Sequence, residues 1–120
     1  RYAALTQLRK LWLGRNRVTD LTPLAGLTDL DLLDLGENWR ISDLTPLAGM
    51  TFLTELYFGF NRVRDIAPLK DMIDLRRLDF RNNLVDDISA LAGQTRLMSL
   101  KCQSNQVADL SPLAGLTGLE

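Results

Sequence analysis

The chain has 120 residues, room for one domain, and its 46% apolar and 24% charged residues are those of a folded protein rather than a disordered one. A net charge of −1 argues against a simple nucleic-acid-binding domain, and the lack of any histidine removes the commonest general base and metal ligand. No apolar run reaches the roughly 18 residues that a membrane-spanning helix needs, and the lone Cys102 can form no intrachain disulfide.

Residues 1–7 read as the tail of an incomplete unit, and the start at Arg1 as a cut inside a longer protein. One pattern then returns five times, in units 8–29, 30–52, 53–74, 75–96 and 97–118, with a further unit opening at 119–120. The leucines that open the units are 22, 23, 22, 22 and 22 residues apart. In the first unit, Leu8, Leu11 and Leu13 are spaced three and two apart, the mark of a short strand with alternate side chains inward. Asn16 follows, then Val18, and Leu21, Leu24 and Leu27 line the return. The second unit repeats this through Leu33, Leu35, Asn38, Leu44, Leu47 and Met50. It carries one extra residue between Asn38 and Ile41, so Trp39 or Arg40 must bulge. The third has Leu56, Phe58, Asn61, Val63, Ile66, Leu69 and Met72. The fourth has Leu78, Phe80, Asn83, Val85, Ile88 and Leu91, then breaks the apolar rule with Gln94. The fifth has Leu100, Cys102, Asn105, Val107, Leu110, Leu113 and Leu116.

No unit of this size hides its own leucines. Stacking the units buries them in one continuous core. The expected fold is an α/β repeat solenoid, a horseshoe segment with a parallel concave sheet and short 3-10 turns on the convex side. The repeated asparagine is expected to bond to the backbone of neighbouring coils. The aspartates at 20, 43, 65, 87 and 109 are expected to accept amide hydrogen bonds in their turns. The hydroxyl–proline pairs, such as Thr22-Pro23 and Ser111-Pro112, read as a helix N-cap followed by a first helical position.

Units such as 8–29, closing on Asp-Leu-Thr-Pro-Leu-Ala-Gly-Leu-Thr, resemble the 22-residue leucine-rich repeats of bacterial internalins. The resemblance covers essentially the whole chain and rests on structural positions. It implies a concave sheet face that grips a host or partner protein, and a secreted or cell-surface location. The same repeat class also occurs in cytoplasmic regulatory scaffolds. Neither the helical cap nor the following cap domain of such proteins is present, so self-association through uncapped ends is expected.

Between the inward leucines, side chains point out onto the concave face. The central column is Trp12, Asp34, Tyr57, Asp79 and Lys101, with Lys10, Leu32, Glu55, Arg77 and Ser99 on the row before. Ten basic residues but only five acidic ones lie on the strand and adjoining loop positions, so that face is about +5. Large aromatics and arginine dominate binding hot spots because they offer much contact area at little entropic cost. Trp12, Asp34, Trp39, Tyr57, Phe60, Arg77, Asp79 and Lys101 are therefore the expected partner-binding residues, with Gly14, Gly36 and Gly59 leaving a shallow trough beside them. The plain alternative is a surface of mutually satisfied charges and cross-strand packing.

An enzyme is not expected. Asp34 and Asp79 lie about 10 Å apart by strand spacing, a separation usable for inverting glycoside hydrolysis, but an open sheet does not exclude water. Cys102 stands at an inward position and reads as a buried hydrophobe. No phosphate loop, metal-ligand cluster or nucleophile–base pair is present, so no cofactor is expected. The expected function is non-catalytic protein recognition, with an intracellular scaffold or a self-assembling repeat segment as alternatives. Nucleic acid is a minor alternative that rests on the basic face alone.

Overall fold

The repeat dictates the architecture seen in the structure, a computed structural model that describes residues 6–119. Five three-residue strands, β1 (Lys10–Trp12), β2 (Leu32–Asp34), β3 (Glu55–Tyr57), β4 (Arg77–Asp79) and β5 (Ser99–Lys101), pair in parallel and in chain order. Leu11, Leu33, Leu56, Leu78 and Leu100 stand in one register row across them. Backbone bonds continue past the strands, from Leu13 N to Asp34 O at 2.7 Å and from Phe58 N to Asp79 O at 2.8 Å. Five 3-10 turns, Thr22–Leu24, Thr45–Leu47, Ala67–Leu69, Ser89–Leu91 and Ser111–Leu113, form the other side. The pitch between coils is therefore set by strand pairing, about 4.8 Å.

The core is one row of side chains per repeat position. Leu27, Leu35, Ile41, Met50, Leu53 and Phe58 are wholly buried, each contributing roughly 2 kcal/mol by area. Phe58 and Phe80 fill a position that is leucine in the first two coils, and their rings stack with centroids 5.7 Å apart. Cys102, at the same position in the fifth coil, is half-buried and packs against the core. Burial raises its thiol pKa, which favours the protonated form.

The asparagines tie coil to coil. Asn83 Nδ2 donates to Phe80 O of its own coil and to Phe58 O of the coil before, both at 3.0 Å. Its Oδ1 accepts from Val63 N at 2.9 Å. Asn38, Asn61 and Asn105 repeat the arrangement with Val18, Ile41 and Val85. Each amide thus satisfies backbone groups that the turn out of the strand would otherwise bury unpaired.

Two expectations need correction. The hydroxyl residue is not the N-cap: the cap positions are Leu21, Leu44, Ile66, Ile88 and Leu110, whose side chains accept nothing. The turn is closed by the repeated aspartate one residue earlier, which accepts the turn amide as expected. Its Oδ1 accepts from the first turn amide at 2.9 Å in Thr22 and 2.8 Å in Ala67. A carboxylate accepts more strongly than a hydroxyl, which frees threonine or serine to donate to the aspartate, as Thr45 Oγ1 does to Asp43. Amide and hydroxyl bonds hold Asp43, Asp87 and Asp109 below the ordinary carboxylate pKa. The trough of glycines also changes. Gly59 is buried, and none of the glycines has a positive φ. A Cβ on Gly14 or Gly59 would come within 3.3 Å of a carbonyl in the next coil, so these glycines allow close coil packing. The left-handed residue is the one that follows: Arg15, Glu37, Phe60, Asn82 and Ser104, all with φ near 60°.

The extra residue of the second coil is absorbed as expected. Trp39 takes φ 72° and its amide donates to Phe60 O at 3.0 Å. Trp39 and Arg40 are exposed, and Ile41 returns to the core with no exposure.

Gln94 is wholly buried. Its Nε2 donates to Leu69 O at 2.8 Å, whereas its Oε1 has no partner. Leu69 O already accepts from Met72 N. Removing the amide therefore deletes an unpaired oxygen at little loss. Gln94→Leu is expected to stabilise the domain by about 1 kcal/mol in urea unfolding; destabilisation would show that the bond to Leu69 matters more than the orphaned oxygen. Asn83→Ala is expected to cost about 3 kcal/mol or more, since it strands several buried backbone groups at once. A loss below about 1 kcal/mol would mean that water replaces the amide.

Candidate functional site on the strand face

Register places the expected central column as the repeat implied. Trp12 pairs with Asp34, Asp34 with Tyr57, Tyr57 with Asp79, and Asp79 with Lys101. Arg77 lies between Glu55 and Ser99 on the adjacent row. Six of the eight expected site residues thus stand on neighbouring strands of one face. Trp39 and Phe60 lie beyond the strands, where the chain turns out of the sheet.

Tyr57 is half-buried at the centre, and its hydroxyl donates to the Glu55 carboxylate two residues back on the same strand. Burial first, and then the bond and charge of Glu55, push its pKa up to about 12. It is therefore a neutral ring with its polar tip already fixed, which suits an anchor. Asp34 Oδ1 accepts from Gly36 N at 2.9 Å. Asp79 takes three bonds from Arg81, through its amide, Nε and second guanidinium nitrogen. Both aspartates thus brace the turn beyond the strand, a role that their place in the column did not reveal.

The aromatics form two sets rather than one cluster. Trp12 is 62% exposed and stands two strands from Tyr57, about 10 Å away, with Asp34 between them. Trp39, 58% exposed, meets Phe60 edge to face with centroids 5.5 Å apart, and the Arg81 guanidinium lies 5.9 Å from the Phe60 ring. A depression of about 380 Å³ beside Trp12 is lined by Gly14, Arg15, Asp34, Gly36 and Glu37. It is the part of the expected trough that the structure contains.

The charge excess is partly neutralised. Asp31 binds both Arg9 and Lys10, at 2.9 and 3.0 Å, and Arg15 binds Glu37 at 3.2 Å. The hydrogen bond from Lys10, ahead of that from Arg9, outweighs burial and lowers the Asp31 pKa. These exposed pairs add little stability. Their effect is to leave the remaining arginines as the positive features of the surface.

Other features were not read from the sequence. Phe52 and Ile73 are 60% and 59% exposed where the chain approaches the next strand. Phe52 borders a depression with Arg9, Lys10, Asp29, Asp31 and Thr54. A cleft of about 500 Å³ opens between the third and fourth coils on the side away from the strands, among Arg64, Asp65, Lys70, Asp86, Asp87 and Ser89. The signal available for it was Ser89-Ala90, where other coils have a residue followed by proline. Among the described residues no three potential metal ligands gather, and no helix is long and apolar enough to cross a membrane.

Ionising Tyr57 would break its bond to Glu55 and place two anions together. A raised folded pKa means that the stabilisation is complete below about pH 10, the unfolded value, and is lost as pH climbs through about 12. In an absorbance titration, the tyrosinate signal that Tyr57→Phe removes is expected near pH 12. Ionisation near pH 10 would show that the bond does not persist in solution.

A family model described as leucine-rich repeats in two copies matches residues 6–49 and 51–93. No curated protein matches the chain. The structure of an internalin, InlF, of Listeria monocytogenes superposes with a TM-score of 0.95 at 38% identity, over 98% of this chain and 34% of that one. Internalin C2 of the same organism gives 0.89 at 42% identity, over 98% of this chain and 52% of that one. A leucine-rich-repeat protein of Leptospira interrogans gives 0.89 at 23% identity, over 98% and 31%, and so shows the fold alone. The chain spans between a third and about half of the internalins that it matches. Leucine-rich-repeat folds are typically protein-interaction modules and typically non-catalytic. By repeat length, parallel strand face and 3-10 turns, the chain belongs to the leucine-rich-repeat family and is internalin-like within it.

Proposed function

We propose that this chain is a non-catalytic recognition module that holds a protein partner against its concave strand face. The observation that carries the reading is the register column. It sets Trp12, Tyr57 and Lys101, with Asp34 and Asp79 between them, on one open face outside the leucine core. The repeat requires an outward residue at each of these points but not an aromatic one, and Trp12, 62% exposed, offers a large amphipathic surface there.

Size decides how such a face binds. Five strands at about 4.8 Å span only ~20 Å. Area alone does not give affinity at that scale, so a few anchors must. Tyr57 is the first choice because it is central and already held by Glu55. Trp12 offers the larger surface, beside the depression where a partner side chain can settle. Lys101 in the column and Arg77 on the row beside it, with Asp34 and Asp79 bonded to their own loops, supply the charge that orients an incoming partner.

The test begins with capture of a partner by the intact domain and then measures its affinity for variants. Tyr57→Ala is expected to cost about 2 kcal/mol or more in binding. Its cost in folding is expected to be about 1 kcal/mol, since the ring is only half-buried. Ser104→Ala, in the last coil, and Lys70→Ala, on the far side, are expected to leave binding unchanged. Normal binding by Tyr57→Ala together with loss in Lys70→Ala would move the site off the strand face.

A further inference from the structure

A second exposed surface lies on the flank where each coil leaves its strand. Trp39 and Phe60 meet there edge to face, with Arg81 against Phe60. Both aromatics sit on left-handed backbone, φ 72° and 60°. That conformation disfavours bulky side chains. The repeat does not need them there: Asn82 and Ser104 take the place of Phe60 in the next two coils with the same backbone.

Beside this platform runs a column of arginines. Arg17, Arg40 and Arg62 each precede the residue whose amide is held by the asparagine of the next coil: Val18 by Asn38, Ile41 by Asn61, and Val63 by Asn83. They therefore share one register position in three successive coils, about 5 Å apart. All three are exposed, and none takes part in an ion pair among the described residues. The aspartates that follow them at 20, 43 and 65 accept amides of their own turns. Glu37, on the same flank, is taken by Arg15. The backbone sets these three arginines at one register position, so their positive charges accumulate along the flank. The column stops at the fourth coil, where Leu84 and then Gln106 take the position.

We propose that this flank is a second docking surface, for a short acidic helical segment of a partner protein. Carboxylates three or four apart on a helix stand 5–6 Å from each other, close to the coil pitch, and arginine's planar fork suits a carboxylate. An apolar side chain from the same helix face would lie on Trp39 and Phe60. The column is only three coils long, because Leu84 and Gln106 hold its position in the next two, so it favours a segment with about three charges over an extended polyanion. This surface is separate from the strand face and does not need that face to bind.

The experiment uses the whole chain and a fluorescein-labelled alanine-based helical peptide with three glutamates at four-residue intervals and a leucine beside them. Binding is read by anisotropy at low salt. The double variant Arg40→Glu, Arg62→Glu is expected to weaken binding roughly tenfold or more, and Arg76→Glu, an equally exposed arginine elsewhere, less than about twofold. Trp39→Gly, which suits the left-handed backbone and keeps the fold, is expected to weaken it roughly threefold. Chemical unfolding of each variant confirms that the domain is intact. The proposal is overturned by no binding at millimolar peptide, by equal losses in Arg76→Glu, or by an unchanged Trp39→Gly. It is also overturned if heparin or a poly-thymidine oligonucleotide binds the same residues as tightly, which would mark a general polyanion surface.

Discussion

The rest of the structure depends on the asparagine amide at the end of each strand. A coil of this size must turn sharply out of the sheet while its backbone is still buried. Nowhere in the coil's own backbone is there a partner for the groups so exposed. Asn38, Asn61 and Asn83 supply it from the side chain, donating within the coil and to the coil before and accepting from that same neighbour. These bonds lie in the core, where leaving one unmade is costly. They lock the turn of one coil onto the turn of the next at the same interval that strand pairing sets on the strand side. Leucine burial supplies the driving force, but it is non-directional; the amides and strands decide that each side chain lands above its counterpart.

That alignment turns a sequence repeat into a surface lattice. Once Leu33 must stand over Leu11 and Leu56 over Leu33, the residues beside them have no freedom of register either. Columns of like position result, and chemistry accumulates along them. On the strand face the column alternates aromatic and acidic side chains over four coils and ends on Lys101. On the exit flank, the same lattice brings Arg17, Arg40 and Arg62 together although they are more than twenty residues apart in sequence. The glycines act at the same level. A Cβ at Gly14 or Gly59 would sit 3.3 Å from a carbonyl of the next coil, tight enough that the neighbour must yield slightly, so glycine eases the stacking of the exit loops there.

The reach of sequence reasoning follows from this. Strand positions, register and inward rows were legible because each rests on period alone, and period survives any choice of outward residue. So were the bulge at Trp39 and Arg40 and the bonding of the repeated asparagine. Three things were less legible because they depend on where side chains go within a coil. The repeated aspartate takes the turn amide as expected, but the hydroxyl residue after it, expected to cap the turn, does not do so and in Thr45 donates to that aspartate, a division of roles that spacing does not decide. Asp34 and Asp79 turned back to their own loops rather than out to solvent. The four aromatics divided into a strand-face pair and a flank pair because Trp39 and Phe60 lie past the strand on left-handed backbone, where the chain direction has already changed. Gln94 was visible as a break in the apolar rule, but where its amide goes was not: the nitrogen finds a backbone carbonyl and the oxygen finds none.

Solenoid energetics connect these observations to recognition. Each coil touches only its neighbours, so stability is a chain of nearest-neighbour terms. The middle coils hold Leu53, Leu56, Phe58 and Phe80 without exposure, whereas Leu11, Leu13, Leu100 and Val107 remain half-exposed in the first and last described coils. Tyr57, Phe60 and Asp79 stand on the best-packed coils, while Trp12 and Lys101 stand on the less-covered ones. On the proposed function, a partner that spans the column would meet Tyr57 on the most fully packed coils described. It would gain its anchor there with little ordering cost. By touching Trp12 or Lys101 as well, it would add contacts between coils to those the chain itself makes. Binding across coils and cohesion between coils then act along the same axis, so a partner lying along the column would stabilise the solenoid as it is bound.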